Sequence, residues 1–116
     1  MERDIEVKYL GRKRGRGVIA LRPFYPGQVI EIAPVIFVFN GFHALKDKEG
    51  LSQCELLWGR KVAMAGGLVH FYNHDENPNV RFARNLAKGR IVVRALSYIR
   101  PDEELMHDYE VEPWWE

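Results

Sequence analysis

Two short segments of this chain hold most of the side chains that could bind a ligand or take part in a reaction. The first covers residues 71–79 and reads FYNHDENPN, and the second covers residues 103–109 and reads EELMHDY, about 30 residues further on. Asn and Asp side chains often bond nearby backbone, so the first segment alone also fits a polar turn closed by Pro78. Tyr109 alone also fits a core tyrosine at a strand end. The two segments therefore have to be judged together.

A metal site is one chemistry that these side chains could support. His70 and His74 lie four residues apart. Three further candidate ligands are Asp75, His107 and Asp108. The two histidines would share one face only on a helix. Pro78 disfavours a helix here, because the residue before a proline is pushed towards extended backbone. We therefore expect no metal site.

A third segment is rich in glycine and precedes both of these. Residues 15–22 read GRGVIALR, and residues 26–30 read PGQVI. The G-x-G lies between two predicted strands and not in front of a helix, so it is not a dinucleotide-binding fingerprint. By itself it indicates a turn that needs a positive φ, which glycine adopts without a steric penalty.

Taken in order, the three segments resemble the signature motifs of the SET-domain protein lysine methyltransferases. That family shows G-x-G-(V/L)-x-A followed by x-x-x-G-x-x-I, then F-x-N-H-S-C-x-P-N, then E-E-L-x-x-D-Y. The positions in register in the last two motifs are Asn73, His74, Pro78, Asn79, Glu104, Leu105, Asp108 and Tyr109. The departures from the pattern are Asp75, Glu76, His107 and Glu110. The resemblance spans residues 15–109 and implies an enzyme that moves a methyl group from S-adenosylmethionine to a lysine.

The resemblance also implies how the cofactor is bound. The glycines would let backbone amides approach its methionine end, because no side chain intervenes. The Asn73 side chain would meet the methionine moiety, and the His74 backbone would pair with the adenine edge. One tryptophan of the tail would fold back over the adenine or the lysine channel; alternatively, one caps the core and the other lies at a dimer interface. The residues predicted to bind the cofactor are Gly15, Arg16, Gly17, Phe71, Tyr72, Asn73, His74, Trp114 and Trp115.

The resemblance implies that Tyr109 is catalytic, with a hydroxyl that orients the methyl group. The reaction is an in-line displacement, so alignment of the reactants is the main task. The lysine must also be neutral, and its deprotonation at pH 7 costs roughly 4 to 5 kcal/mol. A narrow apolar channel would lower its pKa by desolvation. The residues predicted to line this channel are His107, Asp108 and Tyr109. His107 stands where many members carry a Phe or Tyr that limits the number of methyl groups.

The spacing of apolar residues predicts a mainly β fold. Strands are predicted at residues 5–10, 18–20, 80–83, 90–95 and 104–107, and two more lie between 28 and 39, separated by Pro34. Turns are predicted at 26–27 and 86–89, a surface loop at 40–50, and a helix at 51–58. The resemblance specifies a SET domain with short curled sheets, one or two short helices and a C-terminal pseudoknot. The pseudoknot would bring residues 73–74 beside Tyr109.

Bulk composition limits the function classes. The 116 residues suffice for a single domain, residues 1–116, with an aromatic tail at 110–116. The net charge of +1 gives no general argument for nucleic acid, and no apolar run approaches the length of a membrane span. Cys54 is the only cysteine, so a reducing compartment is expected. This would be the cytoplasm for a bacterial source, or the nucleus for a viral or eukaryotic one.

The expected partner is a protein or peptide substrate that carries a lysine, and a histone is one candidate. A homodimer is also expected, since small SET proteins of similar length form homodimers. Two other functions stay open. A SET-like module that has lost catalysis would bind a partner only, and it should ignore S-adenosylhomocysteine. A nucleic-acid-binding β domain would use a basic cluster, whose members are Lys8, Arg12, Lys13, Arg14 and Arg16. Such clusters are more often simply solvated, so nucleic acid is not expected as the primary ligand.

Overall fold

The computed structural model describes residues 4–39, 55–58, 61–109 and 114–115. Within these ranges the chain forms ten strands and one 3-10 helix, Val69–Phe71. The strands are β1 Ile5–Tyr9, β2 Arg16–Ala20, β3 Val29–Phe39, β4 Glu55–Trp58, β5 Lys61–Ala65, β6 Asn73–His74, β7 Val80–Asn85, β8 Arg90–Ala95, β9 Glu104–His107 and β10 Trp114–Trp115. The predicted mainly β fold is confirmed. In the described part of the chain, no helix is long and apolar enough to cross a membrane.

The strands form two sheets. The four-stranded sheet has the order β1-β2-β9-β6, and the six-stranded sheet has the order β10-β7-β8-β3-β5-β4. β9 comes late in the chain and yet lies between two earlier strands, β2 and β6. It pairs antiparallel with β2 and parallel with β6. This insertion brings the C-terminal segment beside residues 73–74, as the resemblance implied.

Both sheets contribute to one hydrophobic core. β2 and β9 supply Val18 and Leu105, and the six-stranded sheet supplies β8, in which Ile91, Val92 and Val93 are all buried. A strand with consecutive buried residues is covered on both faces, so its sequence reads as an apolar run and not as an alternation. Phe24, Tyr72 and Ile99 also belong to this core.

The two predicted turns are present. Gln28 N–H donates to the Tyr25 carbonyl at 3.0 Å, and Gly27 has a φ of +86°, which a type II turn requires at this position. β7 and β8 are joined through residues 86–89. Lys88 N–H donates to the Asn85 side chain at 3.0 Å, and Gly89 has a φ of +62°. These local interactions fix the β7–β8 register.

The prediction that Pro34 separates two strands is wrong. β3 continues through Pro34, but it changes partner there: it pairs with β8 as far as Pro34 and with β5 from Val35 onward. A proline lacks an N–H and is tolerated where one ladder ends. The bonds on either side are intact, because Val35 N–H donates to the Gly89 carbonyl at 2.9 Å and Gly66 N–H donates to the Pro34 carbonyl at 2.8 Å.

The helix predicted over 51–58 is wrong in the part that the structure describes. Glu55–Trp58 is strand β4, antiparallel to β5, with Trp58 opposite Lys61. Short apolar runs do not distinguish helix from strand by periodicity, and here strand pairing decides. Residues 51–54 and the loop predicted at 40–50 lie outside the described residues. The sequence predicted no strand in the tail, where β10 follows β9 and pairs in parallel with β7.

Candidate functional site

The pairing of β6 with β9 places the two polar segments side by side. Asn73 lies opposite Met106, and His74 lies opposite His107. Asp75 N–H donates to the His107 carbonyl at 3.1 Å and extends the pairing beyond β6. Because β2 pairs with the other edge of β9, the glycine segment adjoins both. Three segments that are distant in sequence therefore meet in one sheet.

Asn79 holds β9 in this position. Its Nδ2 donates to the Glu104 carbonyl at 2.8 Å and to the Glu103 carboxylate at 3.0 Å, and its Oδ1 accepts the Met106 N–H at 2.8 Å. The Asn79 backbone N–H also donates to the Met106 carbonyl at 3.1 Å. A side-chain amide offers the same donor and acceptor as a peptide group, so Asn79 substitutes for a neighbouring strand.

A cavity of about 420 Å³ opens between β6, the end of β9 and the basic loop. This volume is within the range of small-molecule sites. Its walls combine cationic, carboxylate, amide, imidazole, thioether and phenol groups. The lining residues are Lys13, Arg14, Asn73, His74, Asp75, Met106 and Tyr109. Three of the predicted site residues, Asn73, His74 and Tyr109, therefore share one cavity.

Asn73 connects the glycine segment to β9. Its Nδ2 lies within hydrogen-bonding distance of three acceptors: Glu104 Oε2 at 2.7 Å, the Arg16 carbonyl at 3.2 Å and the Arg14 carbonyl at 3.3 Å. Glu104 is buried, and its Oε1 forms an ion pair with the Arg14 guanidinium. Arg14 also approaches the Met106 sulfur at 3.7 Å. The floor of the cavity is thus a network of polar contacts.

The two glycines of the G-x-G are needed for different reasons. Gly15 has a φ of +63°, as predicted for a turn, and its carbonyl accepts the Leu10 N–H at 2.7 Å. Gly17 is not among the glycines with positive φ, and a side chain is excluded there for steric reasons. A Cβ there would collide with the Glu104 carboxylate and would lie 2.6 Å from Leu10 Cδ1 and 2.9 Å from Asn73 Nδ2. Any side chain at position 17 would therefore displace the polar network.

Tyr109 is held by both neighbouring segments. Its hydroxyl donates to the Tyr72 carbonyl at 2.8 Å, and its backbone N–H donates to His74 Nδ1 at 3.0 Å. Asp108 Oδ1 lies 3.7 Å from the same Nδ1. The side chain is largely exposed, but partial burial of the hydroxyl, followed by the charge of Glu104, raises the pKa of Tyr109, so the hydroxyl stays protonated at neutral pH.

His107 lies between two aromatic rings. It stacks on Phe82 with a centroid distance of 4.1 Å and an interplanar angle of 10°, and it meets the Tyr109 ring edge-on at 4.6 Å. Burial, with the charges of Arg84 and His74, lowers the pKa of His107 to about 4 against an opposing effect of Asp108. The imidazole is therefore neutral at pH 7 and acts as a flat, largely apolar ring.

A carboxylate on the other sheet supports the site, and the sequence analysis missed it. Glu31 on β3 accepts the Tyr72 hydroxyl at 3.0 Å through Oε1 and the Leu68 N–H at 2.6 Å through Oε2. Burial, followed by the charge and hydrogen bond of Glu31, raises the pKa of Tyr72 far above its ordinary value. Tyr72 in turn presents its carbonyl to Tyr109. The available signal was that Glu31 is the one charged residue in Val29–Phe39.

Phe71, Tyr72 and Trp115 are not among the described residues that line the cavity. Phe71 is partly exposed at the end of the 3-10 helix, and Tyr72 is in the core. Trp114 and Trp115 pair with Ala83 and Arg84 of β7. The Trp115 ring is half exposed and lies 6.0 Å from the Arg84 guanidinium.

Four lining residues were not predicted as cofactor ligands, namely Lys13, Arg14, Asp75 and Met106. The signal for the first two was present, because a basic run directly precedes the G-x-G. In the ranges that the structure describes, no group of three or more His, Cys, Asp or Glu side chains could hold a metal ion.

The SET domain family model matches residues 15–110 of the chain. A curated protein of Schizosaccharomyces pombe, "Histone-lysine N-methyltransferase, H3 lysine-37 specific", is 32% identical over 114 residues, which cover 97% of this chain and 77% of that protein. A solved structure of a Plasmodium falciparum candidate histone methyltransferase matches with a TM-score of 0.74 at 19% identity and covers 97% of each chain. A structure of an active polycomb repressive complex 2 in the basal state matches with a TM-score of 0.71 at 16% identity, over 94% of this chain and 15% of that one. The two structures support the fold.

Proposed function

This chain belongs to the SET-domain family, and from that membership we propose that it is a protein lysine methyltransferase that uses S-adenosylmethionine. One structural observation supports the proposal most directly. The pairing of β6 with β9 sets Asn73, His74 and Tyr109, which the family resemblance names for cofactor binding and catalysis, on a single cavity.

The residues at the cavity fit the cofactor. Its volume of about 420 Å³ is large enough for a small ligand. The cationic side chains and the Asn73 amide suit the charged methionine end, while His74 and Tyr109 present rings. When bound, S-adenosylmethionine supplies a methyl group activated by its attachment to a sulfonium. Asn73 and His74 would hold the cofactor, on the wall formed by β6.

Tyr109 has the clearest role among the residues of this chain. Its hydroxyl is anchored on the Tyr72 carbonyl, and its backbone is anchored on the His74 imidazole. Two anchors restrict the phenol to one orientation, which is what an alignment-limited reaction needs. The raised pKa keeps the hydroxyl protonated, so Tyr109 orients groups and does not act as a phenolate base.

His107, Phe82 and Tyr109 form an aromatic cluster beside the cavity, which we propose as the entry for the lysine. A lysine side chain packed against neutral rings loses hydration, and desolvation lowers its pKa towards the neutral, nucleophilic form. His107, with its pKa of about 4, adds no positive charge there at pH 7. We propose that the flat neutral imidazole fills the position where other members carry Phe or Tyr.

For the substrate, we propose a lysine in a histone H3 tail as the first candidate. The relative of 32% identity from Schizosaccharomyces pombe is named as specific for lysine 37 of histone H3. Radiolabelled methyl transfer to a panel of H3 peptides, with each lysine replaced by arginine in turn, would identify the target. Incorporation into non-histone proteins alone would contradict the histone assignment and leave the lysine methyltransferase assignment intact.

The cofactor step is tested by calorimetric titration with S-adenosylhomocysteine. We expect binding near one site per chain, with a large loss of affinity in Asn73→Ala. A folding control is necessary because the Asn73 amide also connects the glycine segment to β9. Thermal denaturation without ligand shows whether the variant is folded. The same measurement with ligand checks binding, since a ligand at 100 times its Kd should add about 2.7 kcal/mol to the stability of the native protein.

Failure to bind S-adenosylhomocysteine would favour the alternative of a SET-like module that binds partners without catalysis. Binding without methyl transfer to any protein in the tested panel would also favour that alternative. Transfer that is lost in Tyr109→Phe, in a variant that still binds S-adenosylhomocysteine, would support the enzyme.

A further inference from the structure

A buried carboxylate lies under the cavity without touching it. Glu104 is 9% exposed and is not among the lining residues. Its two oxygens face two residues that do line the cavity, since Oε1 pairs with the Arg14 guanidinium and Oε2 accepts from Asn73 Nδ2. Burying a carboxylate is unfavourable unless it is paired and hydrogen-bonded, and a buried pair is weak evidence for a gain in stability. Glu104 therefore calls for a role other than stability.

The first consequence concerns the orientation of the Asn73 amide. Asn73 Nδ2 faces three acceptors, namely Glu104 Oε2 and the carbonyls of Arg14 and Arg16. An amide NH₂ has two protons and no accepting capacity, so these acceptors fix the amide in one of its two orientations. The opposite end of the amide, Oδ1, is then the group that remains for a ligand. Asn73 would present an acceptor to the cavity, which suits an ammonium group.

The second consequence concerns Arg14. Its side chain is about half exposed, and a free arginine there would sample many rotamers. The Glu104 carboxylate and the Met106 sulfur instead hold the guanidinium at the cavity wall. A guanidinium carries five donors, so pairing with one oxygen of Glu104 leaves others for a second carboxylate. Arg14 would therefore present donors and positive charge.

We propose that Glu104 is a positioning residue that presents Asn73 Oδ1 and the Arg14 guanidinium as a matched pair for the ammonium and carboxylate of an α-amino-acid group. The inference rests on the proposed function, in which the methionine end of the cofactor is that group. It also explains Gly17, because any Cβ at that position would displace the Glu104 carboxylate and the Asn73 amide together.

The test compares two nucleosides that differ in the amino-acid group. S-adenosylhomocysteine carries it, and 5′-methylthioadenosine shares the adenosine and the thioether sulfur but lacks it. The 13.5 kDa chain suits NMR titration, which measures affinities into the millimolar range and reports at the same time whether the variant is folded. We expect wild type to prefer S-adenosylhomocysteine by at least about tenfold, from charge-assisted hydrogen bonds.

In Glu104→Gln we expect that preference to fall to about threefold or less, while the affinity for 5′-methylthioadenosine stays within about threefold of wild type. Arg14→Met is the second variant, and its NMR spectrum reports whether it is folded, because the variant leaves the buried Glu104 carboxylate without this ion pair. This variant should have a lower affinity for S-adenosylhomocysteine and an unchanged affinity for 5′-methylthioadenosine. The matched controls are Arg12→Met, on the same loop, and Glu6→Gln, on the edge strand β1. Both should behave as wild type.

Each outcome has one meaning. If Glu104→Gln keeps the wild-type preference, or loses affinity for both nucleosides equally, Glu104 does not position the pair and the inference is overturned. If the wild-type protein binds both nucleosides with equal affinity, the inference is overturned as well, but the proposed cofactor site is not contradicted. A wild-type protein that binds neither overturns the proposed function itself.

Discussion

The two sheets of this molecule use their central strands in opposite ways. In the six-stranded sheet, β8 buries Ile91, Val92 and Val93 in succession. In the four-stranded sheet, β9 begins with the buried carboxylate of Glu104, next to the fully buried Leu105. Buried polar groups are unfavourable unless they are fully paired. The first sheet therefore maximises apolar burial, whereas the second gives up part of that burial to position polar groups.

This difference indicates a division of labour. A substitution in β8 should lower stability and leave the chemistry of the folded molecules intact. A substitution around β9 should alter binding or rate with a smaller effect on folding. The experiments on Ile91, Tyr109 and Glu31 measure both stability and binding or rate, because each sheet is tested for the role assigned to the other.

The largest effect on stability is expected from Ile91→Ala. Ile91 is fully buried, and removing a buried isoleucine side chain lowers the free energy of unfolding by about 2–5 kcal/mol. Urea denaturation measures this change, and the affinity of the folded protein for S-adenosylhomocysteine should be unchanged. Ile32→Ala is the matched control, because Ile32 lies on the neighbouring strand and is 52% exposed. An Ile91→Ala variant that is stable but binds no ligand would contradict the division.

Tyr109→Phe should give the reverse pattern. The variant keeps the ring contacts with His74 and His107 and loses only the hydrogen bond to the Tyr72 carbonyl. We expect kcat to fall about 100-fold, equivalent to about 3 kcal/mol, with the affinity for S-adenosylhomocysteine within about twofold. Tyr109 is 59% exposed, so the free energy of unfolding should change little. Tyr9→Phe, at a tyrosine 64% exposed on β1, is the control and should leave kcat unchanged.

The pH dependence of stability tests the role of His107, which lies on β9. Burial, with Arg84 and His74, lowers its pKa in the folded protein to about 4 from an ordinary value of 6.5. Between these values the unfolded chain binds a proton that the native chain does not, so stability falls as the pH drops from 6.5 towards 4. The gap corresponds to at most about 3 kcal/mol.

The measurement is urea denaturation at pH 7, 5.5 and 4 for wild type and His107→Phe. Phenylalanine keeps a flat ring on Phe82 and cannot titrate. The stability of the His107→Phe variant should therefore depend less steeply on pH than that of wild type. The difference between the two curves isolates His107 from the other groups that titrate in this range. Parallel curves would show that the imidazole is already hydrated in the native protein.

The sequence predicted the parts of the fold that local chemistry determines. Gly27 in its turn, the residues 86–89 between β7 and β8, and the strands of that hairpin all follow from short-range rules of backbone geometry. The predictions failed where partners distant in sequence decide. The sequence around Pro34 predicts a break, because the pairing with β8 on one side and with β5 on the other is not visible in it. Residues Glu55–Trp58 fit a helix by spacing alone, and only the pairing with β5 makes them a strand.

The site shows the same limit. The motifs indicated Asn73, His74 and Tyr109, and the structure brings these three to one cavity. The sequence did not reveal the roles of the supporting groups, because these roles depend on contacts between strands. Glu104 appeared only as a motif position, Arg14 only as part of a basic run, and Glu31 as a lone charge in an apolar strand.

Glu31 is the residue best placed to break the division between the sheets, since it belongs to β3 and yet supports the site. Its carboxylate accepts the Tyr72 hydroxyl and the Leu68 N–H. In Glu31→Gln the amide oxygen replaces only one of these acceptors, and an unpaired buried donor costs about 1–3 kcal/mol. We expect a loss of stability near the lower end of that range, because Glu31 is only partly buried.

The effect on kcat decides what Glu31 does. If the carboxylate positions Tyr72, whose carbonyl anchors the Tyr109 hydroxyl, then kcat should fall about three- to tenfold while the affinity for S-adenosylhomocysteine is kept. The double variant with Tyr109→Phe should show no further fall, because the hydroxyl that depends on that carbonyl is then absent. If instead the two effects on kcat multiply, Glu31 acts on the site by another route. If kcat is unchanged, Glu31 contributes to stability alone. The six-stranded sheet then supports folding and the four-stranded sheet supports the site, as their central strands indicate.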